Sequence, residues 1–474
     1  MRKTKILCTI GPSSESETVL RELIGAGMTM ARLNMAHGEL EEHVRRITAI
    51  REAAAKEKTV VPVLMDIKGP EIRIGKLHGP FVELHKDSEV IVTTEPIVGD
   101  SRRIPVTYED MPQVLKPGAR ILIDDGLIEL AVAEIQGKEI HCKVVSGGNL
   151  KPRKGVNLPG IKTTLPGVTE RDIRHIKFGI ENGIELIAVS FVRRAEDILE
   201  VRRILEENQA GYIQIISKIE NEEGIDNLDK IIAASDGIMV ARGDLGVQIP
   251  VEDVPLLQRE MVEKCNRAGK PVIVATHMLE SMQVNPRPTR AEVSDVSTAV
   301  FQGADVVMLS GETAAGKYPV ESVRTMAKIA LKVESVLDYE KQFTKRMLLQ
   351  TTSITEVISQ AAVSTSLELD AKAIIIPTVS GYTARMVSKY RPQVPIIAIT
   401  PDPQVIPKLS LLWGVRPVLS ELTASTDDAI AMAAASSLET GLVEKGDLVV
   451  ISAGIPLGEA GTTNLIKIQQ VGEE

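Results

Sequence analysis

Short apolar runs that end in charge or glycine recur through the first two thirds of the chain. They occupy residues 5–9, 29–34, 62–66, 186–191, 212–216 continuing into 217–221, 237–246, 271–276 and 305–310. Runs of this length, rich in Val and Ile and apolar at consecutive positions, predict parallel strands buried on both faces. Amphipathic stretches with helical spacing, such as 195–207, lie between most of them, so each unit reads as strand then helix. Eight such units are what a closed (β/α)₈ barrel of the α/β class requires, with its functional residues at the carboxyl ends of the strands.

The rhythm breaks after 68–73 and resumes near 160–166. Inside the break, alternation at 81–84 and 89–92 with glycine turns at Gly118, Gly126 and Gly137 predicts a small β-barrel domain. It is inserted at the face where the site is expected, which suits a lid. Arg73, Asp125 and Lys154 fall on its expected inner face, or equally on a solvated surface. The barrel is therefore assigned to residues 1–69 and 167–340, and the lid to 70–166.

Beyond the eighth strand a helix through about Tyr339 leads into a C-terminal α/β domain, residues 341–474, with strands expected at 373–377, 395–399, 415–418 and 448–451. Its first strand opens into a loop with Thr378, Ser380, Gly381 and Thr383 before a helix. That composition fits a phosphate at a helix amino terminus, and it fits an ordinary capped helix equally well.

A chain of 474 residues exceeds a single core, and two to four domains are expected. The net charge of −9 excludes a general nucleic-acid binder. Cys8, Cys142 and Cys265 have neither metal-ligand nor disulfide spacing, which points to a reducing compartment. No apolar run approaches the roughly 20 residues of a membrane span, and the first residues lead straight into a strand, so a cytoplasmic protein without membrane contact is expected. No further domain is expected after Glu474.

Candidate chemistry collects at the strand ends: Arg32, Asn34, Asp66, Lys68, Lys218, Glu220, Arg242, Gly243, Asp244, Thr276, Ser310 and Glu312. Lys218 and Glu220 stand two apart on an extended segment and point the same way. Carboxylates without His or Cys ligands favour a hard ion, which makes Glu220 and Asp244 the expected Mg²⁺ ligands. Arg32 and Lys218 suit an anionic, phosphorylated substrate. The segment 311–318 matches a P-loop until Tyr318 stands where Ser or Thr must reach Mg²⁺, so that match fails.

Taken together, the segments 4–12, 31–38, 68–73, 154–160, 217–221, 239–246, 285–292 and 308–314 resemble the pyruvate kinase family, and the resemblance runs along essentially the whole chain. It implies transfer of a phosphoryl group from phosphoenolpyruvate to ADP, giving pyruvate and ATP in glycolysis. It implies Mg²⁺ on Glu220 and Asp244, and a second Mg²⁺ arriving with the nucleotide. Lys218, Arg32 and Thr276 become the catalytic residues. Arg32, Gly243, Asp244 and Thr276 bind substrate, and Asn34, His37, Arg73 and Lys154 bind nucleotide. The loop Thr378, Ser380, Gly381 and Thr383 becomes an effector site for a sugar phosphate or AMP, and a homotetramer is implied.

The family's potassium site departs here. Ala36 replaces a hydroxyl ligand, and Ile67 offers only its carbonyl, leaving Asn34, Asp66 and Ile67 as the K⁺ ligands, although Glu71, which accompanies potassium dependence, is present. His277 stands where the family usually has Gln. Two other classes are weighed: a binding protein that kept the barrel and lost turnover, supported only by Ala36 and Ile67, and a P-loop ATPase, opposed by Tyr318.

Overall fold

The computed structural model describes residues 1–347, 353–421, 425–455 and 463–472; the expectation about the chain end at Glu474 falls outside them. All eight expected strands form: Lys5–Thr9, Met30–Asn34, Val63–Ile67, Leu186–Val189, Gln214–Ile219, Gly237–Ala241, Val272–Ala275 and Val306–Leu309. They are parallel and close on themselves, the eighth pairing the first from Lys5↔Val306 to Cys8↔Leu309. Closure leaves no open sheet edge.

Strand side chains alternate between two apolar layers. Leu7, Met30, Leu64, Ile216, Met239 and Met308 fill the barrel interior. Ile6, Leu33, Met65, Ile215, Ile238 and Val307 pack outward among the helices. The expected helix at Ala195–Glu207 forms at those residues.

The insertion between the third and fourth strands builds a seven-stranded sheet whose two edge strands are Ile72–Arg73 and Arg103–Pro105. Gly75 N–H donates to Pro105 O at 2.8 Å and Thr107 N–H to Arg73 O at 2.9 Å, so those edges meet and the sheet curls shut around its own core. Gly118, Gly126 and Gly137 all have positive φ, as their turns require.

The C-terminal sheet has the order Val415–Leu419, Ile396–Thr400, Ala373–Pro377, Leu448–Gly454, Thr463–Gln470. Four of these strands match expectation. The fifth, antiparallel at the edge, carries too many polar residues to announce itself as a buried run. The helix expected through Tyr339 instead stops at Glu334, and Tyr339 opens a new helix, Tyr339–Met347.

This domain packs beneath the barrel, opposite the lid. Leu411 joins the barrel-interior layer. Arg391 is buried and bonds both oxygens of Asp305, at 2.8 and 3.0 Å, just before the eighth strand. Lys5 Nζ donates to Val415 O at 2.6 Å. Among the described residues no helix is long and apolar enough to cross a membrane.

Candidate active site

The second, third and fifth strands each place a charged side chain at the barrel mouth, and Asp66 lies at their centre. Its Oδ2 accepts from Arg32 Nε at 2.8 Å and pairs with Arg32 Nη2 at 2.7 Å; its Oδ1 lies 3.2 Å from Lys218 Nζ. Lys218 also donates to Ser190 Oγ at 2.7 Å, and the Ser190 hydroxyl donates to Ile67 O at 2.7 Å. Arg32 Nη1 donates to Thr9 Oγ1 at 3.0 Å, whose hydroxyl donates to Leu309 O at 2.9 Å. Two cations are thus fixed on rigid strands with little exposure.

Burial opposes the charge on Asp66, but Lys218 and Arg32 prevail and hold it below the usual carboxylate range. Burial likewise opposes the Lys218 ammonium, which Asp66 and Glu220 nonetheless hold above its ordinary value. Glu220 behaves differently. Its burial, reinforced by Asp244 and Asp66, outweighs Lys218 and pushes its carboxyl up to about 7. Asp244 is raised too, first by burial.

Glu220 Oε2 accepts the Phe191 N–H at 2.6 Å, which Phe191 presents from a left-handed backbone. Oε1 lies 3.0 Å from Lys218 Nζ, yet no donor meets it in hydrogen-bonding geometry. A fully buried carboxylate oxygen without such a donor, beside a second raised carboxyl, is the setting for a cation. Among the described residues no three His, Cys, Asp or Glu side chains converge on a metal position. The pair therefore fits an ion that takes its remaining ligands from substrate and water, as Mg²⁺ does.

Gly243 and Asp244 open the helix Arg242–Gln248 directly after the sixth strand. Gly243, expected to bind substrate, here donates its N–H to Thr276 Oγ1 at 2.9 Å. Thr276 and His277 both have left-handed backbone, φ 65° and 54°. For a β-branched residue that conformation costs about 1–3 kcal/mol and persists only where neighbours enforce it.

The lid approaches from the other side. A cavity of about 350 Å³ lies between lid and barrel, with Arg73 and Asp125 on one wall and Phe191, Asn221 and Asp244 on the other. Of the four expected nucleotide residues only Arg73 lines it. Arg73 pairs with Glu71 at 2.6 Å, a carboxylate shared with Lys68, and Lys154 pairs with Asp124 at 2.7 Å. His37 belongs to the turn after the second strand, its carbonyl 2.9 Å from His43 Nε2.

The three expected potassium ligands all have partners. Asn34 Oδ1 accepts from Ala36 N–H at 3.1 Å, Ile67 O takes the Ser190 hydroxyl, and Asp66 is held by Arg32 and Lys218. Far below, Gly381 N–H donates to Thr378 Oγ1 at 2.9 Å and Tyr382 N–H lies 3.4 Å from Ser380 Oγ. The Thr383 hydroxyl is buried against Thr463 Oγ1 at 2.6 Å.

Ser190 received no role from the sequence, although it directly follows the fourth barrel strand, where the strand-end rule applies. Glu312, in the failed P-loop match, accepts the N–H groups of Leu279 at 3.0 Å and Ser310 at 2.7 Å. It therefore ties the last two strand ends together.

Positive groups held on rigid strands around a buried carboxylate pair stabilise charge as it moves between oxygens, which is what a phosphotransferase requires. Known proteins agree with that class. The family model "Pyruvate kinase, barrel domain" matches residues 1–323, and "Pyruvate kinase, alpha/beta domain" matches 356–469. The chain is 53% identical over 475 residues to a pyruvate kinase of Bacillus licheniformis and 52% identical over 474 residues to one of Geobacillus stearothermophilus, covering 100% of this chain and 81% of each relative. A solved pyruvate kinase from Cryptosporidium parvum superposes with a TM-score of 0.94 at 40% identity, over 99% of this chain and 96% of that one. The chain belongs to the pyruvate kinase family.

Proposed function

We propose that the chain transfers the phosphoryl group of phosphoenolpyruvate to ADP, giving pyruvate and ATP in glycolysis, with Mg²⁺ at Glu220 and Asp244. The observation that carries this reading is the Glu220 oxygen without a hydrogen-bond donor, beside Asp244 and 3.0 Å from Lys218. When bound there, Mg²⁺ would supply Lewis-acid charge for the substrate's carboxylate and phosphate oxygens.

Lys218 and Arg32 carry the positive charge that offsets the moving phosphoryl group and the enolate it leaves. Both are anchored by Asp66 and so need little reorganisation. Gly243 and Asp244 orient the substrate's carboxylate, with the Gly243 amide exchanging its Thr276 contact for the ligand. Thr276 lies at the methylene carbon that takes up a proton to become the methyl of pyruvate. Arg73 and Lys154 meet the nucleotide phosphates from the lid, with Asn34 and His37 opposite and a second Mg²⁺ on the nucleotide. Lid closure excludes water, the competing acceptor.

Potassium belongs to the same reading, in weakened form. A K⁺ at Asn34, Asp66 and the Ile67 carbonyl would compete with the Ala36 amide, the Ser190 hydroxyl and two resident cations. The loop from Thr378 to Thr383 is read as the site of a sugar-phosphate or AMP effector, in a cytoplasmic homotetramer.

The test is pyruvate formation from phosphoenolpyruvate and ADP with Mg²⁺, in potassium and in a large inert monovalent cation at equal ionic strength. Activity in both, with a modest preference for potassium, is expected. Absence of pyruvate in both media would overturn the catalytic reading and favour the binding-protein one.

A further inference from the structure

The left-handed turn at Thr276 and His277 is gripped by the side chain of Arg242, from the neighbouring strand end. Arg242 Nε donates to Ala275 O at 3.2 Å and Nη2 donates to Thr276 O. Nη1 donates to Asp295 Oδ1 at 2.7 Å, on the helix Arg290–Gln302, and lies 3.3 Å from Gln258 Oε1. The next residue, Gly243, donates its N–H to Thr276 Oγ1. Residues 242 and 243 therefore hold Thr276 by both its backbone and its hydroxyl.

We propose that Arg242 is a positioning residue for the proton-transfer half of the reaction. This rests on the reading that Thr276 lies at the substrate's methylene carbon. Once the phosphoryl group has left, the enolate's double-bond electron pair takes a proton at that carbon from a water molecule at the Thr276 hydroxyl; one C–H bond forms as one water O–H bond breaks, hydroxide leaves to solvent, and the enolate C–O⁻ becomes the carbonyl of pyruvate. Arg242 touches none of these atoms. Its fork fixes two successive carbonyls and thereby the backbone from which the Thr276 hydroxyl projects.

Geometry explains the choice of residue. The planar guanidinium reaches Ala275 O, Thr276 O and Asp295 from three nitrogens in one plane, which a lysine's single nitrogen at the end of a flexible stem does not reproduce. Asp295 fixes the outer edge of the fork, so the orientation of Arg242 is itself specified by a helix outside the reacting centre.

The experiment compares hydrogen–deuterium exchange at the methyl group of pyruvate, in Mg²⁺ and ATP, with phosphoryl transfer to ADP in the same preparations. The ratio of the two rates cancels any fraction of inactive protein. R242Q and R242K are each expected to lower that ratio by roughly ten- to a hundredfold, the scale of a small misplacement at a reacting centre. D295N, which leaves the strand end intact, is expected to lower it less, in the same direction. Binding of oxalate, an enolate mimic, should stay within a few fold of wild type. An unchanged ratio in R242Q and D295N would overturn the proposal while leaving Thr276 its role. An unchanged ratio in T276V would remove the underlying reading, and the proposal with it.

Discussion

At the scale of single residues, Lys218 and Glu220 sit side by side and are both raised above their ordinary values, with opposite consequences for charge. Lys218 faces two carboxylates and keeps its charge; Glu220 is buried with two other carboxylates nearby and resists ionising. Replacing Lys218 with Met should lower kcat on the order of a hundred- to a thousandfold, the loss seen when one preorganised donor is removed, with a smaller change in KM. Steady-state kinetics decide it, and near-normal kcat would strip Lys218 of its role. Glu220→Gln should raise the Mg²⁺ needed for half-maximal activity roughly ten- to a hundredfold, the loss that even an outer-sphere partner of a ligand produces. An unchanged Mg²⁺ titration would place the ion elsewhere. Arg32, Asp66, Lys218, Glu220 and Asp244 were legible in the sequence because a charge ending an apolar run has nowhere to go but the barrel mouth. The part played by Arg242 was not, because it depends on a left-handed turn at Thr276 that no spacing rule announces. Ser190 was missed for a simpler reason: an uncharged hydroxyl in an apolar run looks like core.

At the scale of elements, the eight barrel strands were legible because buried parallel strands leave continuous apolar runs. The edge strand Thr463–Gln470 alternates with polar residues and lacks that mark. The lid's return to the barrel was visible only as a break in rhythm, and the contact that secures it was not. Arg193, after the fourth barrel strand, donates to Thr163 Oγ1 at 2.9 Å and Leu165 O at 2.6 Å. These bonds pin the segment that carries the chain from the lid back to the barrel. Arg193→Gln should cost about 2–3 kcal/mol, in keeping with buried hydrogen bonds to a charged group. Hydrogen exchange should speed up at 160–166 more than in the barrel strands. Uniform acceleration across the protein would mean that Arg193 stabilises the whole rather than this connection.

At the scale of the molecule, the barrel floor and the C-terminal domain share buried charge. Burial, then the nearby Arg2 and Arg416, pushes the Lys5 ammonium down to about 7, against about 10.4 in an unfolded chain. Between those values the unfolded chain holds a proton that the folded one has released, so stability rises as pH rises from about 7 towards 10. Lys5→Met should remove that slope, which for one proton is at most about 1.4 kcal/mol per pH unit. Urea unfolding at pH 7, 8, 9 and 10 checks it; equal slopes in both proteins would show that Lys5 stays protonated on folding. The same floor shapes how the chain is made. The first strand's partners include residues 306–309, so a ribosome adding about 5–20 residues per second leaves that pairing unmade for roughly 15–60 s after residues 5–9 are synthesised. The lid, with a core of its own, can fold during that wait, and the barrel can close only after the eighth strand emerges.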